Sequence, residues 1–145
     1  MKNGMEQYEN LKLKNQLCFP LYAASREVVK HYRPLLEPYG LTYTQYIALM
    51  VLWEEGQVSV KALGERLYLD SGTLTPLLKS LEQKGYVSRM RSKEDERVLI
   101  ASVTKEGLEL RDKLKDVPEK LARCVCLSAD DAKELYRILY AILGC

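Results

Sequence analysis

The chain has 145 residues, about one ordinary domain, and its 47% hydrophobic and 29% charged residues describe a folded protein that can build its own core. Its 22 basic and 20 acidic residues leave a formal charge of only +2, so no global excess announces a polyanion or a membrane surface as partner. No run approaches the roughly 18 unbroken apolar residues of a membrane span, and the start Met-Lys-Asn-Gly-Met-Glu-Gln-Tyr lacks a hydrophobic signal core, which predicts a cytoplasmic protein.

The first helical pattern covers about residues 10–37 and ends at Pro38-Tyr39-Gly40. Pro20 lies inside it and removes one backbone donor, so it either kinks the helix or marks the true start of its longer part. Cys18 stands among apolar neighbours in Gln16-Leu17-Cys18-Phe19-Pro20-Leu21-Tyr22, where the ordinary explanation is a core cysteine acting as a small hydrophobe. The tyrosines argue against that explanation. Tyr22 is one helical turn on, within reach of the sulfur, and the chain has ten tyrosines against one phenylalanine. Phenol donors stabilise a thiolate, the form that attacks a peroxide. Tyr32 shares the face, but fourteen residues at ~1.5 Å each place it ~21 Å along the helix. Unless the helix folds back on itself, an antiparallel partner helix in a homodimer is what would bring it to Cys18.

Helices are next expected near 43–54, 59–67 and 71–84, with Thr42, Ser59 and Asp70 as N-caps and breaks at Gly56-Gln57, Tyr68-Leu69-Asp70 and Gly85. In the third of these, Leu74, Leu77, Leu78 and Leu81 make one apolar stripe. The opposite face carries Ser71, Thr73, Thr75, Lys79 and Ser80, short side chains that let a helix approach phosphates and base edges. Residues 86–103 change to two short Val/Ile/Tyr runs joined by Ser92-Lys93-Glu94-Asp95-Glu96-Arg97, a β-hairpin pattern. Helices return near 105–126 and 129–143 behind Thr104 and Ser128. With no repeat and no linker, the expectation is one domain over 1–145, mainly α with a small β-hairpin.

Charge is concentrated where this geometry needs it. Lys79, Lys84, Arg89, Arg91 and Lys93 face a single acid, Glu82, giving a local +4 while the remainder of the chain carries −2. A solvated helix-hairpin surface is the bland alternative. Arg97 can enter a minor groove, pair with Asp95, or do both, since a carboxylate can orient the guanidinium.

Four cysteines in a cytoplasmic chain read as reduced thiols. Cys124 and Cys126 are one residue apart, Cys145 is the last residue, and the only histidine is His31. These do not form the two close ligand pairs of a zinc site, so no metal and no cofactor are expected. One histidine also leaves a hydrolytic triad without parts, so no catalytic residue is assigned and no enzyme is expected. Cys124 continues the spacing Val117, Leu121, Cys124 and is predicted to face the packed side, which favours it over Cys126.

Leu17-Cys18-Phe19, Thr42-Tyr43-Thr44-Gln45-Tyr46, the long run Leu67-Tyr68-Leu69-Asp70-Ser71-Gly72-Thr73-Leu74-Thr75-Pro76-Leu77-Leu78-Lys79 and Asp95-Glu96-Arg97 resemble the organic-hydroperoxide-sensing branch of the MarR family, the OhrR repressors and their staphylococcal relatives. The resemblance runs from about residue 11 to about residue 140. It implies a winged helix-turn-helix of six helices, a homodimer joined through helices about 10–37 and 105–143, and a DNA-binding lobe about 43–103 on palindromic operators. It implies that Cys18 is the sensing thiol for an organic hydroperoxide, with Tyr22, Tyr32 and Tyr43 lining the sulfur. It implies DNA contacts from Ser71, Gly72, Thr73, Thr75, Pro76 and Lys79, and from Arg89, Arg91, Asp95 and Arg97, the last in the minor groove. It places a resolving cysteine where Cys124 and Cys126 stand, whereas members with one cysteine use a low-molecular-weight thiol. Pro20 replaces an ordinary helix former beside the thiol, and Ser80 stands where a basic residue is common. The function implied is a repressor released from its operator when Cys18 is oxidised. The alternatives are a MarR-type repressor controlled by a small phenolic ligand, with Cys18 only structural, and a thiol peroxidase or reductase, for which no motif is present.

Overall fold

Every N-cap expected from the sequence forms in the computed structural model, which describes residues 6–144, with side chains from residue 8. Thr42, Ser59, Asp70, Thr104 and Ser128 each accept the backbone N–H three residues on, at 2.8–3.3 Å. The elements are α1 (Cys18–Leu36), α2 (Tyr43–Glu55), β1 (Gln57–Ser59), α3 (Val60–Leu67), α4 (Ser71–Gln83), β2 (Val87–Arg91), β3 (Leu99–Val103), α5 (Lys105–Leu114), α6 (Val117–Ala122) and α7 (Ala129–Leu143). The six expected helical regions are present in a mainly α fold with a small antiparallel wing.

The structure departs from the sequence expectation in three regions. The first helix begins at Cys18 rather than near residue 10, behind short 3-10 turns at Glu6–Leu11 and Leu13–Asn15. Pro20 therefore occupies the first turn, where backbone N–H groups have no acceptor within the helix, and it marks the start instead of kinking the middle. The region 105–126 is broken after Leu114, because Pro118 cannot donate to the carbonyl four residues back and its ring collides with it. It also ends at Ala122, so residues 123–127 form a connection. The third difference is β1, which adds a strand to the wing. Gln57, Val58 and Ser59 pair with Ser102, Ala101 and Ile100, giving the order β1-β3-β2. Three residues are too few for an alternating pattern to show in sequence.

The core lies among α2, α3, α4, α5 and the wing. Leu49, Leu52, Leu63, Leu74, Leu78 and Leu81 are each under 2% exposed, so the predicted leucine stripe of α4 is the face that packs. The α3–α4 turn is tight. A Cβ on Gly64 would lie 2.7 Å from the Leu69 carbonyl oxygen and 2.9 Å from Leu74 Cδ1, so glycine is what lets the turn close. α7 is the opposite case. None of its residues is buried, and Leu135, Tyr136, Ile138, Tyr140, Ile142 and Leu143 are exposed. Among the described residues no helix is long and apolar enough to cross a membrane.

Candidate nucleic-acid face and thiol cleft

Burying the leucines of α4 forces the other face outward. Ser71, Gly72, Thr73, Thr75, Pro76 and Lys79 are all exposed. Asp70 caps this helix through Thr73 N–H at 2.8 Å, and that bond holds its carboxyl below the usual range. Thr75 Oγ1 donates to the Ser71 carbonyl at 2.8 Å, leaving the hydroxyl oxygen free to accept. Ser80, placed on the same outer face by the sequence reading, is instead half-buried and accepts from Gln45 Nε2 at 3.0 Å.

The wing divides its cations. Arg91, Lys93 and Arg97 are exposed. Arg89, expected to be a phosphate contact, is committed inward. Its Nη2 and Nε reach Glu82 Oε2 at 2.8 and 3.2 Å, and its backbone N–H reaches Oε1 at 3.1 Å. With its side chain only 20% exposed, it braces the wing against α4, and its guanidinium holds the Glu82 carboxyl low. At the tip the Arg97 side chain is 92% exposed while its Nε and Nη2 lie 3.1 and 3.4 Å from the Asp95 carboxylate. The two roles considered for Arg97 are thus compatible: a half-buried carboxylate orients a guanidinium that projects into solvent.

Cys18 is not a core cysteine. It is exposed at the first residue of α1 and lines an apolar cleft of about 600 Å³ between α1 and α7, with Leu21, Tyr22, Tyr43, Leu139 and Leu143 among its walls. The Tyr22 hydroxyl, expected at the sulfur, accepts from Arg26 Nη1 at 3.1 Å. Tyr32 does not line the cleft. Its ring packs on Tyr43 at 4.6 Å and on Tyr46 at 5.8 Å, backing the tyrosine that does. Tyr32 lies near the far end of α1, ~21 Å from Cys18 of the same chain by helical rise.

Burial pushes the Tyr32 phenol up to about 12, with Tyr43 and Tyr46 adding to the shift, and burial raises Tyr43 as well. Both phenols therefore remain donors at neutral pH. A raised folded value means that Tyr32's contribution to stability is full below about 10 and is lost as pH rises through about 12. Denaturant titrations across that window are expected to show a smaller alkaline loss of stability in Tyr32→Phe than in wild type. Equal losses would mean that Tyr32 ionises without cost to the fold.

Cys124 and Cys126 lie on the connection after α6, both exposed. Val117 and Leu121 are buried as expected, but the helix stops at Ala122, so Cys124 leaves their stripe and does not face the packed side. Its Sγ donates to the Lys120 carbonyl at 3.5 Å. Cys145 lies outside the described residues. Among the described residues no three His, Cys, Asp or Glu side chains gather as a metal site. The residue that sequence reasoning passed over is Gln45. The signal for it was the Thr42-x-x-Gln45 capping box, whose reciprocal bonds both form.

The sequence model of the SarA/Rot transcriptional regulators matches residues 30–114. The chain is 49% identical over 136 residues to the organic hydroperoxide resistance transcriptional regulator of Bacillus subtilis, covering 94% of this chain and 92% of that protein. Its structure resembles reduced AbfR bound to DNA, at 37% identity and a TM-score of 0.78, covering 95% of this chain and 96% of that one. It also resembles disulfide-formed AbfR at 37% identity and a TM-score of 0.66, covering 96% and 97%; AbfR is from Staphylococcus epidermidis.

Proposed function

The chain belongs to the winged-helix transcriptional regulators of the SarA/Rot and MarR type, and from that premise we propose that it is a redox-sensing repressor whose Cys18 releases it from DNA when oxidised by an organic hydroperoxide. The observation that carries this reading is the position of Cys18: an exposed thiol at the head of α1, in a cleft whose leucines suit the hydrocarbon part of an organic peroxide. The Cys18 thiolate attacks one peroxide oxygen, the O–O bond breaks, the alcohol leaves with a proton, and the sulfur becomes a sulfenic acid. A second thiol, Cys124 or Cys126 of the partner subunit or a low-molecular-weight thiol, then attacks that sulfur and expels water to form a disulfide. One peroxide is consumed per Cys18, so the protein is a stoichiometric sensor rather than an enzyme, acting in the cytoplasm.

The exposed apolar residues of α7 and of α1 argue for a homodimer, since a 15-residue helix with no buried residue gains its stability from a partner surface. An antiparallel α1 pair would set the partner's Cys18 near Tyr32 and Tyr43. The dimer would hold two α4 helices ~34 Å apart over successive major grooves. Ser71, Gly72, Thr73, Thr75, Pro76 and Lys79 then meet the groove and its phosphates, Arg91 the backbone and Arg97 the minor groove, while Arg89 and Asp95 act as braces. Closing disulfides between the subunits would draw the helical ends together and turn the winged lobes off that spacing, a rigid-body switch.

A gel-shift titration tests the reading, using a duplex selected from a random-sequence pool with the reduced protein. Cumene hydroperoxide is expected to release the protein, and dithiothreitol to restore binding; unchanged binding would overturn the proposal. On the same duplex Arg97→Ala should weaken binding by ~1–3 kcal/mol. Wild-type affinity in that variant would make Arg97 a wing brace only.

A further inference from the structure

Gln45 is the one buried polar or charged side chain among the described residues, at 7% exposure, and it does more than cap its own helix. Its Oε1 accepts from Thr42 N–H at 3.1 Å, which completes the capping box, and also from Lys84 Nζ at 3.3 Å. Its Nε2 donates to Ser80 Oγ at 3.0 Å. Lys84 Nζ donates in addition to the carbonyl of Gly40, the left-handed residue that turns the chain from α1 toward α2. One amide and one ammonium thus fasten the α1–α2 joint to the end of α4, across separations of 35 to 44 residues.

Two residues before Gln45, on the same turn of α2, stands Tyr43, which lines the thiol cleft and packs on Tyr32 of α1. A shift of the Tyr43 ring tilts that turn. Hydrogen bonds lose strength steeply with angle and distance, so a tilt of that turn weakens the bonds of the buried Gln45 amide. We infer that Gln45, through Ser80 and Lys84, is a positioning residue that sets the angle of α4 and transmits displacement at Tyr43 to the DNA-binding face. This also gives Ser80 its role: a short hydroxyl turned inward to hold the helix. The inference rests on the redox reading above, in which oxidation of the partner's Cys18 is what displaces Tyr43.

The test measures two quantities in each dimeric variant: the rate at which cumene hydroperoxide consumes the Cys18 thiol, and the ratio of oxidised to reduced Kd on the selected duplex. Gln45→Met keeps length and loses every side-chain hydrogen bond, Ser80→Ala loses only one, and Ser80→Thr keeps the hydroxyl. Gln45→Met and Ser80→Ala should oxidise at the wild-type rate while the Kd ratio shrinks ~10-fold, mostly because the reduced protein binds less tightly. The double variant should do no more than the worse single one, and Ser80→Thr should restore the ratio. An unchanged ratio with a lower Tm would reduce Gln45 to a helix cap and overturn the inference alone, and Ser80→Ala keeps that decision open if Gln45→Met folds poorly. A wild-type protein that holds its duplex after complete oxidation of Cys18 would overturn the redox reading and this inference with it.

Discussion

Cys18→Ser protein is expected to stay on its DNA duplex through a hydroperoxide treatment that weakens wild-type binding by ~10²-fold, toward the upper end of ordinary allosteric coupling. The substitution exchanges an exposed sulfur for oxygen at the head of α1, so stability should move by no more than ~0.5 kcal/mol and reduced-state affinity should be unchanged. Serine cannot take the oxygen of a peroxide, so the chemistry stops before any disulfide forms. Gel shifts of both proteins, with and without cumene hydroperoxide, decide the matter. Release of Cys18→Ser by the peroxide would move the sensing role to another thiol. Release of Cys18→Ser by salicylate, with no response to peroxide in wild type, would favour the phenolic-ligand alternative.

The second large effect is all-or-none on a non-reducing gel. Hydroperoxide should convert the wild type to a dithiothreitol-sensitive covalent dimer, and Cys124→Ser should abolish the band, while Cys126→Ser and Cys145→Ser should keep it. A disulfide needs the two Cα atoms within about 7 Å, and the proposed antiparallel dimer would bring the head of one α1 toward the C-terminal helices of its partner. Burial no longer ranks the two candidates, since Cys124 and Cys126 are both exposed. Cys124 keeps the preference because its sulfur is held to the Lys120 carbonyl at the end of α6 and so is the better positioned of the two. Loss of the band in Cys126→Ser alone would transfer the resolving role. A band that survives all three substitutions would point to a Cys18–Cys18 bridge.

The five capped helix starts, the leucine stripe of α4 and the hairpin were legible in the chain because each rests on contacts between near neighbours. A cap reaches three residues ahead, and a buried stripe repeats every three or four. Pro20 acted just as locally, although only the structure decided that it starts the helix rather than kinking it, and Pro118 broke a region that reads as one helix. The recognition face followed from the stripe, since burying one side of a helix exposes the other. Docking decided everything else. Arg89 reads as one more wing cation until the wing folds against α4 and sets it on Glu82. Ser80 reads as an outer-face hydroxyl until Gln45 arrives from 35 residues away. Cys18 has an apolar sequence neighbourhood and an open spatial one, because the helices that flank it leave a cleft in a single chain. Sequence order records which side chains can pair, but the tertiary fold selects the partner, since a charge or an amide satisfies whichever complementary group packing brings within about 3 Å.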